Sequence, residues 1–215
     1  IHAGRSQGHQ GEVVISIDQE IEAKIVADGV DVKDFKEMML TLPIESYIHI
    51  VGPDRYYERD ENVIRHRIDK NKGASELTVK KRRSSGSIRD RLEIDLKITP
   101  GTPSDEVDNW LRAVGFTHIF TLVKEAHIFW VRLSPAVMAS FVIYDVWRED
   151  EPERKSRYIE CEIEKKSDIS VETAKRYIRT WVKNLQQRFG IGEPLNKSLW
   201  EIYSGKTYAM EEKRT

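Results

Sequence analysis

The sequence predicts an α+β protein whose antiparallel sheet curls into a closed β-barrel with flanking helices, and three observations predict it. Five segments alternate apolar and charged residues with the period of a β-strand. Their charged faces are segregated: carboxylates concentrate on the first and last segments, ammonium and guanidinium groups on the middle ones. Three other segments carry the apolar stripe of amphipathic helices. A flat sheet with one wet face explains alternation alone, but a solvated face mixes Thr, Ser, Gln and both charge signs on each strand. Segregation suits a charged face rolled inward around a lumen, where a metal-bound polyanion would be neutralised.

Along the chain, residues 1–17 read as an N-terminal tail or appended segment, 18–204 as one domain and 205–215 as a C-terminal tail. The first strand, Gln19 to Val26, sets Glu20, Glu22 and Lys24 against Ile21, Ala23 and Ile25. A helix follows over Asp34 to Leu42, with Phe35, Met38, Met39 and Leu42 on one stripe. Val63 to Ile68, Glu76 to Arg82 and Arg89 to Ile98 are strands whose charged faces hold Arg65 and Arg67, then Lys80, then Arg89, Arg91, Glu93, Asp95 and Lys97. Ser104 to Val114 is a helix with Ser104 as expected N-cap, Val107, Trp110, Leu111 and Val114 as its stripe, and Gly115 as its stop. Arg157 to Lys165 opposes Glu160, Glu162 and Glu164 to Ile159, Cys161 and Ile163. The longest helix runs from Val171 to Phe189 between Ser170 and Gly190. Trp110, Trp130, Trp147 and Trp181 are expected to pack, and Trp200 and Tyr203 to cover one mouth of the lumen.

Composition narrows the function. At 215 residues and 39% hydrophobic, the chain can build one sizeable core. Its 35 basic and 36 acidic residues nearly cancel, so it lacks the net positive field of a general nucleic-acid or anionic-membrane binder. A single cysteine, Cys161, excludes an internal disulfide framework and a multi-cysteine zinc cluster, and a reducing cytoplasm is the expected location. No apolar run approaches the roughly 18–20 residues that span a bilayer, so no membrane partner is expected. The six histidines show no HExxH spacing, and His66, His118 and His127 read as strand-face or packing residues.

The charged rows suggest a chemistry. Alternate carboxylates at Glu20 and Glu22 stand roughly 7 Å apart at strand rise. With the row at Glu160 and Glu162 they make an all-oxygen set for Mg²⁺ or Mn²⁺, which keeps waters and takes further oxygens from phosphate. Lys24, Arg65, Arg67, Lys80, Arg91 and Lys124 are the candidate phosphate-binding groups, the arginines as bidentate forks. Catalysis would be electrostatic, with no covalent nucleophile. Glu20, Glu22, Glu162 and Lys24 are the candidate catalytic residues, and Glu20, Glu22, Glu160, Glu162 and Asp145 the candidate metal set.

The ordered set of these motifs resembles the CYTH proteins of the triphosphate tunnel metalloenzyme superfamily. Glu20-x-Glu22-x-Lys24, Tyr57-x-x-Asp60, Arg65-x-Arg67, Leu77-Thr78-Val79-Lys80, Arg91-x-Glu93, Gly115-Phe116, Lys124, Ile143-Tyr144-Asp145, Glu160-x-Glu162 and Lys197-Ser198-Leu199-Trp200-Glu201 carry it over Asp18 to Tyr203. The resemblance implies an eight-stranded antiparallel tunnel with divalent metal on the glutamates and a triphosphate on the basic residues. It implies a phosphohydrolase that cleaves the terminal phosphate of tripolyphosphate, a nucleoside or thiamine triphosphate, or an RNA 5′ end. The alternatives are a class IV-type adenylate cyclase and a non-catalytic polyphosphate-binding module; a monomer or homodimer is expected. Two departures stand out: the family's Lys-x-Arg is here Lys124-Glu125-Ala126, and Glu164 adds a third glutamate, as in fungal and viral RNA triphosphatases.

Overall fold

The structure, a computed structural model, describes residues 15–82, 86–135, 137–165 and 169–206. The expected tails therefore lie outside the described residues except at 15–17 and 205–206. Eight strands form: β1 (Ile15–Val26), β2 (Ile44–Arg59), β3 (Asn62–Asp69), β4 (Ala74–Arg82), β5 (Ile88–Ile98), β6 (Thr117–Ser134), β7 (Val137–Arg148) and β8 (Ser156–Lys165). All neighbours are antiparallel, and the sheet closes in the order β1-β5-β4-β3-β2-β6-β7-β8. Closure gives every strand two partners and turns alternation into an inner and an outer wall.

The outer wall is apolar where helices cover it. Helix α1 (Val32–Met39) is capped by Asp31, whose carboxylate accepts from the Lys33 amide, and it buries Phe35 and Met39. Helix α3 (Val171–Phe189) starts on the Ser170 hydroxyl, which accepts from the Thr173 amide, and stops at Gly190 with φ +64°. Both pack on Ile21, Ala23, Ile25, Phe141, Ile159, Cys161 and Ile163, the main core. Burying such side chains supplies roughly 1.5–3 kcal/mol apiece against chain entropy.

Helix α2 (Ser104–Ala113) corrects two expectations. Pro103, not Ser104, holds the N-cap position, where its fixed φ suits the turn. Trp110 is 56% exposed rather than packed. The reason is Asp108, whose carboxylate meets Arg55 and the Nδ1 of fully buried His66 at 2.9 Å. That pairing turns the Val107, Asp108 and Leu111 face toward the barrel and leaves Trp110 at its flank. His66 is a packing residue and His118 an exposed strand-face residue that bonds the Thr121 hydroxyl, the two roles expected of the histidines.

Helix α4 (Leu199–Ser204) opens with a capping box between Ser198 and Glu201. Before it, the Leu195 amide donates to the Lys24 carbonyl at 2.7 Å, tying this segment to the end of β1. Leu199 and Trp200 then pack with Tyr56, Phe120, Tyr144 and Tyr158 into an apolar floor at one end of the lumen, with Tyr203 against its edge. No described helix is long and apolar enough to cross a membrane.

Candidate active site in the lumen

The lumen holds a cavity of about 1090 Å³. Strand parity decides what lines it: Glu20, Glu22 and Lys24 from β1; Arg65 and Arg67 from β3; Lys80 from β4; Arg91 and Glu93 from β5; Lys124 from β6; Glu160 and Glu162 from β8. The partners of five basic residues explain how so much charge stays folded. Lys80 Nζ lies 2.8 Å from Glu20 and 2.5 Å from Glu93. Arg67 forks onto Asp54 at 2.8 and 2.9 Å, and Arg91 reaches Glu22 at 2.9 Å. Lys24 pairs with Glu160 and donates to the Tyr144 hydroxyl at 2.8 Å. Arg65 bonds the Thr78 hydroxyl at 2.9 Å and lies 3.6 Å from Glu76.

At the centre, Glu20, Glu22 and Glu162 each bring a carboxylate oxygen within 4.8 Å of the other two. Glu22 and Glu162 are direct cross-strand partners, and Glu20 follows two residues earlier on the same face. This is a donor set of hard oxygens, crowded enough that the chain alone relieves its repulsion by holding protons. Three clustered carboxylates beside open cavity therefore fit a divalent cation.

Three solved structures share this architecture. A conserved hypothetical protein from Pyrococcus furiosus superposes with TM-score 0.60 at 16% identity, covering 85% of this chain and 98% of that one. The PH1819 protein of Pyrococcus horikoshii OT3 gives TM-score 0.60 at 20% identity, with 87% and 99% covered. A putative adenylyl cyclase from Hippeastrum, described as having a dominant triphosphatase activity, gives 0.56 at 14% identity, with 90% and 99% covered. The chain has the closed-barrel fold of these structures. No family model matches it, and no curated protein matches it.

Electrostatics within the tunnel sort the carboxylates. Burial, then the neighbouring Glu162, raises Glu20 well above the usual range. Burial raises Glu162 to about 7, with the neighbouring Glu20 and Lys80 drawing it down and Glu93 and Glu22 adding to the rise. Glu22 goes the other way: burial opposes its charge, but Arg89 and Arg91 hold it at about 2. Glu160 is likewise held far below normal by Lys24 and Lys124 against the cost of burial. Burial brings Lys124 down to about 7, with Glu160 resisting, and its ammonium sits 3.6 Å over the Tyr144 ring.

Two residues expected as metal ligands stand apart from the carboxylate cluster. Asp145 is corrected: it lies on the outer face of β7, forked by Arg157 at 2.6 and 2.9 Å, because its odd position points away from the Tyr144 side. Glu160 faces the tunnel but is engaged by Lys24 and Lys124 instead of the cluster. The side chain of Glu164 lies outside the described residues. Sequence reasoning missed Arg89, which is fully buried, 3.0 Å from Glu22, and donates to the Lys197 carbonyl. It also missed Asp54 and the tunnel-facing role of Tyr144; the Arg89-x-Arg91 alternation and the Ile143-Tyr144-Asp145 motif were the available signals.

Proposed function

We propose that the protein is a divalent-metal-dependent phosphohydrolase that removes the terminal phosphate of a triphosphate substrate. One observation carries the reading: a three-carboxylate cluster and six basic side chains face one cavity. Glu20, Glu22 and Glu162 would hold Mg²⁺ or Mn²⁺, which when bound supplies charge withdrawal from phosphate oxygens. Arg65, Arg67, Lys80, Arg91, Lys24 and Lys124 bind the phosphate chain and meet the charge that grows on the transferring group. Most of these bases are already paired with carboxylates, so the arriving polyanion exchanges one set of ion pairs for another instead of meeting bare charge. A carboxylate of the central cluster orients the attacking water, whose oxygen bonds to the terminal phosphorus as the bridging P–O bond breaks toward diphosphate.

A second feature shapes the choice of substrate. Ile48, Ile50, Ile128, Trp130 and Val142 form an apolar stretch of the same cavity wall, on β2, β6 and β7. An uncharged ring attached to the phosphates would bury surface there, which favours an organic triphosphate and keeps the cyclase reading in the comparison. The test is a panel of tripolyphosphate, ATP, GTP, thiamine triphosphate and 5′-triphosphorylated RNA, each with Mg²⁺ and with Mn²⁺. Metal-dependent orthophosphate release supports the hydrolase. Cyclic AMP with pyrophosphate supports the cyclase, and thermal stabilisation by tripolyphosphate without any product identifies a binding module.

A further inference from the structure

A second cluster of metal-binding side chains lies on the outside of the barrel, through the wall from the tunnel. His49 on β2 and His127 on β6 are direct cross-strand partners. Their rings stack at 4.4 Å with planes 10° apart. Glu125, two residues before His127 on the same face, places Oε1 3.3 Å from His49 Nε2. One ligating atom from each of the three lies within 4.8 Å of the others. Glu125 is separated from the tunnel by strand parity, since its neighbours Lys124 and Ala126 are the residues that border the inner cavities.

We propose that His49, Glu125 and His127 form a surface site for a borderline transition-metal ion such as Zn²⁺, distinct from the tunnel carboxylates. The donor types separate the two: two imidazoles and one carboxylate select Zn²⁺, Ni²⁺ or Cu²⁺, whereas an all-carboxylate set selects Mg²⁺ or Mn²⁺. The support around the ligands fits as well. The Tyr47 hydroxyl lies 2.7 Å from His127 Nδ1, which fixes that ring and leaves Nε2 to the ion, the outer-shell arrangement of histidine ligands. Ligand atoms on tetrahedral zinc stand roughly 3.4 Å apart, so small rotations of these accessible side chains complete the site. The His49 and Glu125 side chains are 38% and 44% exposed, which leaves the ion an entry path and a position for water.

The placement gives the ion a structural task. The first half of β2, before Asp54, is laddered to β6 but not to β3; among the described residues its other edge is held only where the Lys70 amide donates to the Val51 carbonyl at 3.1 Å and the Asn71 side chain to the His49 carbonyl at 2.9 Å. An ion shared by His49 and His127 clamps this sparsely tied stretch to β6, on the strand whose opposite face carries part of the apolar tunnel wall.

The experiment is Co²⁺ titration of the full chain followed by absorption, with Zn²⁺ displacement and thermal melting. The expected result is one tightly bound Co²⁺ with tetrahedral d–d bands, displaced by Zn²⁺ and not by millimolar Mg²⁺, and a higher melting temperature. Glu22→Gln should retain the bands. The double variant His49→Ala/His127→Ala should lose them, and Glu125→Gln, which preserves shape, should weaken binding about tenfold; all three should keep the circular dichroism of the fold. Equal Co²⁺ binding by wild type and the double variant would overturn the site, because the ion would then belong to the tunnel or to His2 and His9 of the N-terminal segment. Absence of binding at micromolar Co²⁺ would overturn it too.

Discussion

Glu22 and Glu162 face each other directly across the β1–β8 ladder, and they are held in opposite protonation states. Two carboxylates in that position would repel if both were ionised. Two guanidinium groups keep Glu22 charged, while Glu162, turned toward Glu20, keeps a proton up to about pH 7. The folded state therefore binds a proton that the unfolded state releases near 4.5, and stability contributed by Glu162 is complete below that value and is lost as pH rises to about 7. Chemical denaturation of the metal-free protein should show wild type losing ground to Glu162→Gln across this window, by up to roughly 1.4 kcal/mol per pH unit. A pH-independent difference between the two would contradict the assignment. Metal binding near neutral pH should also release a proton, which calorimetry in buffers of different ionisation enthalpy detects.

Glu20→Gln should abolish metal-dependent turnover while the fold survives. The substitution removes one of three crowded acids, and Lys80 keeps Glu93 as its partner at 2.5 Å. A loss of at least 100-fold in kcat with an unchanged melting temperature is expected; unchanged phosphate release would remove Glu20 from the site.

Arg89→Met should act through stability first. Arg89 is fully buried between Glu22 and the Lys197 carbonyl, joining the carboxylate centre to the segment that leads into α4. Removing one partner of a buried pair costs about 3–5 kcal/mol, so a lower urea midpoint is expected. Glu22, left with Arg91, should titrate at a higher pH, which carbon-13 NMR of its carboxylate would show.

Gly52→Ala tests a close approach in the barrel wall. A Cβ at Gly52 would stand 1.8 Å from the Ile68 carbonyl oxygen, and that oxygen belongs to a backbone which cannot swing aside. Overpacking of this kind costs about 1–3 kcal/mol or more, and a fall in melting temperature measures it.

The parts of this fold legible in the sequence are those where the two walls differ in chemistry. β1, β5 and β8 announce themselves because charge faces in and apolar residues face the helices. β6 does not: Ala126, Ile128 and Trp130 face the cavity while Phe129 and Val131 face the core, so apolar residues occupy both sides and the alternation disappears. Among the carboxylates, spacing along a strand sets Glu20 beside Glu22 and Glu160 beside Glu162, but only the β1–β8 register brings Glu162 to Glu22, and spacing could not assign Glu160 to two lysines from other strands or Asp145 to Arg157. Trp110 fits the helical stripe in sequence, yet the Asp108 pairing rotates α2 away from it. Pairings across the ladder are the information that a linear pattern lacks.

Leu199 and Trp200 line the cavity and pack with Tyr56, Phe120, Tyr144 and Tyr158, inside a ring of strands with no gap between neighbours. Under the proposed function such a wall leaves a polyanion no sideways route, so the substrate would enter, and its fragments would depart, along the barrel axis.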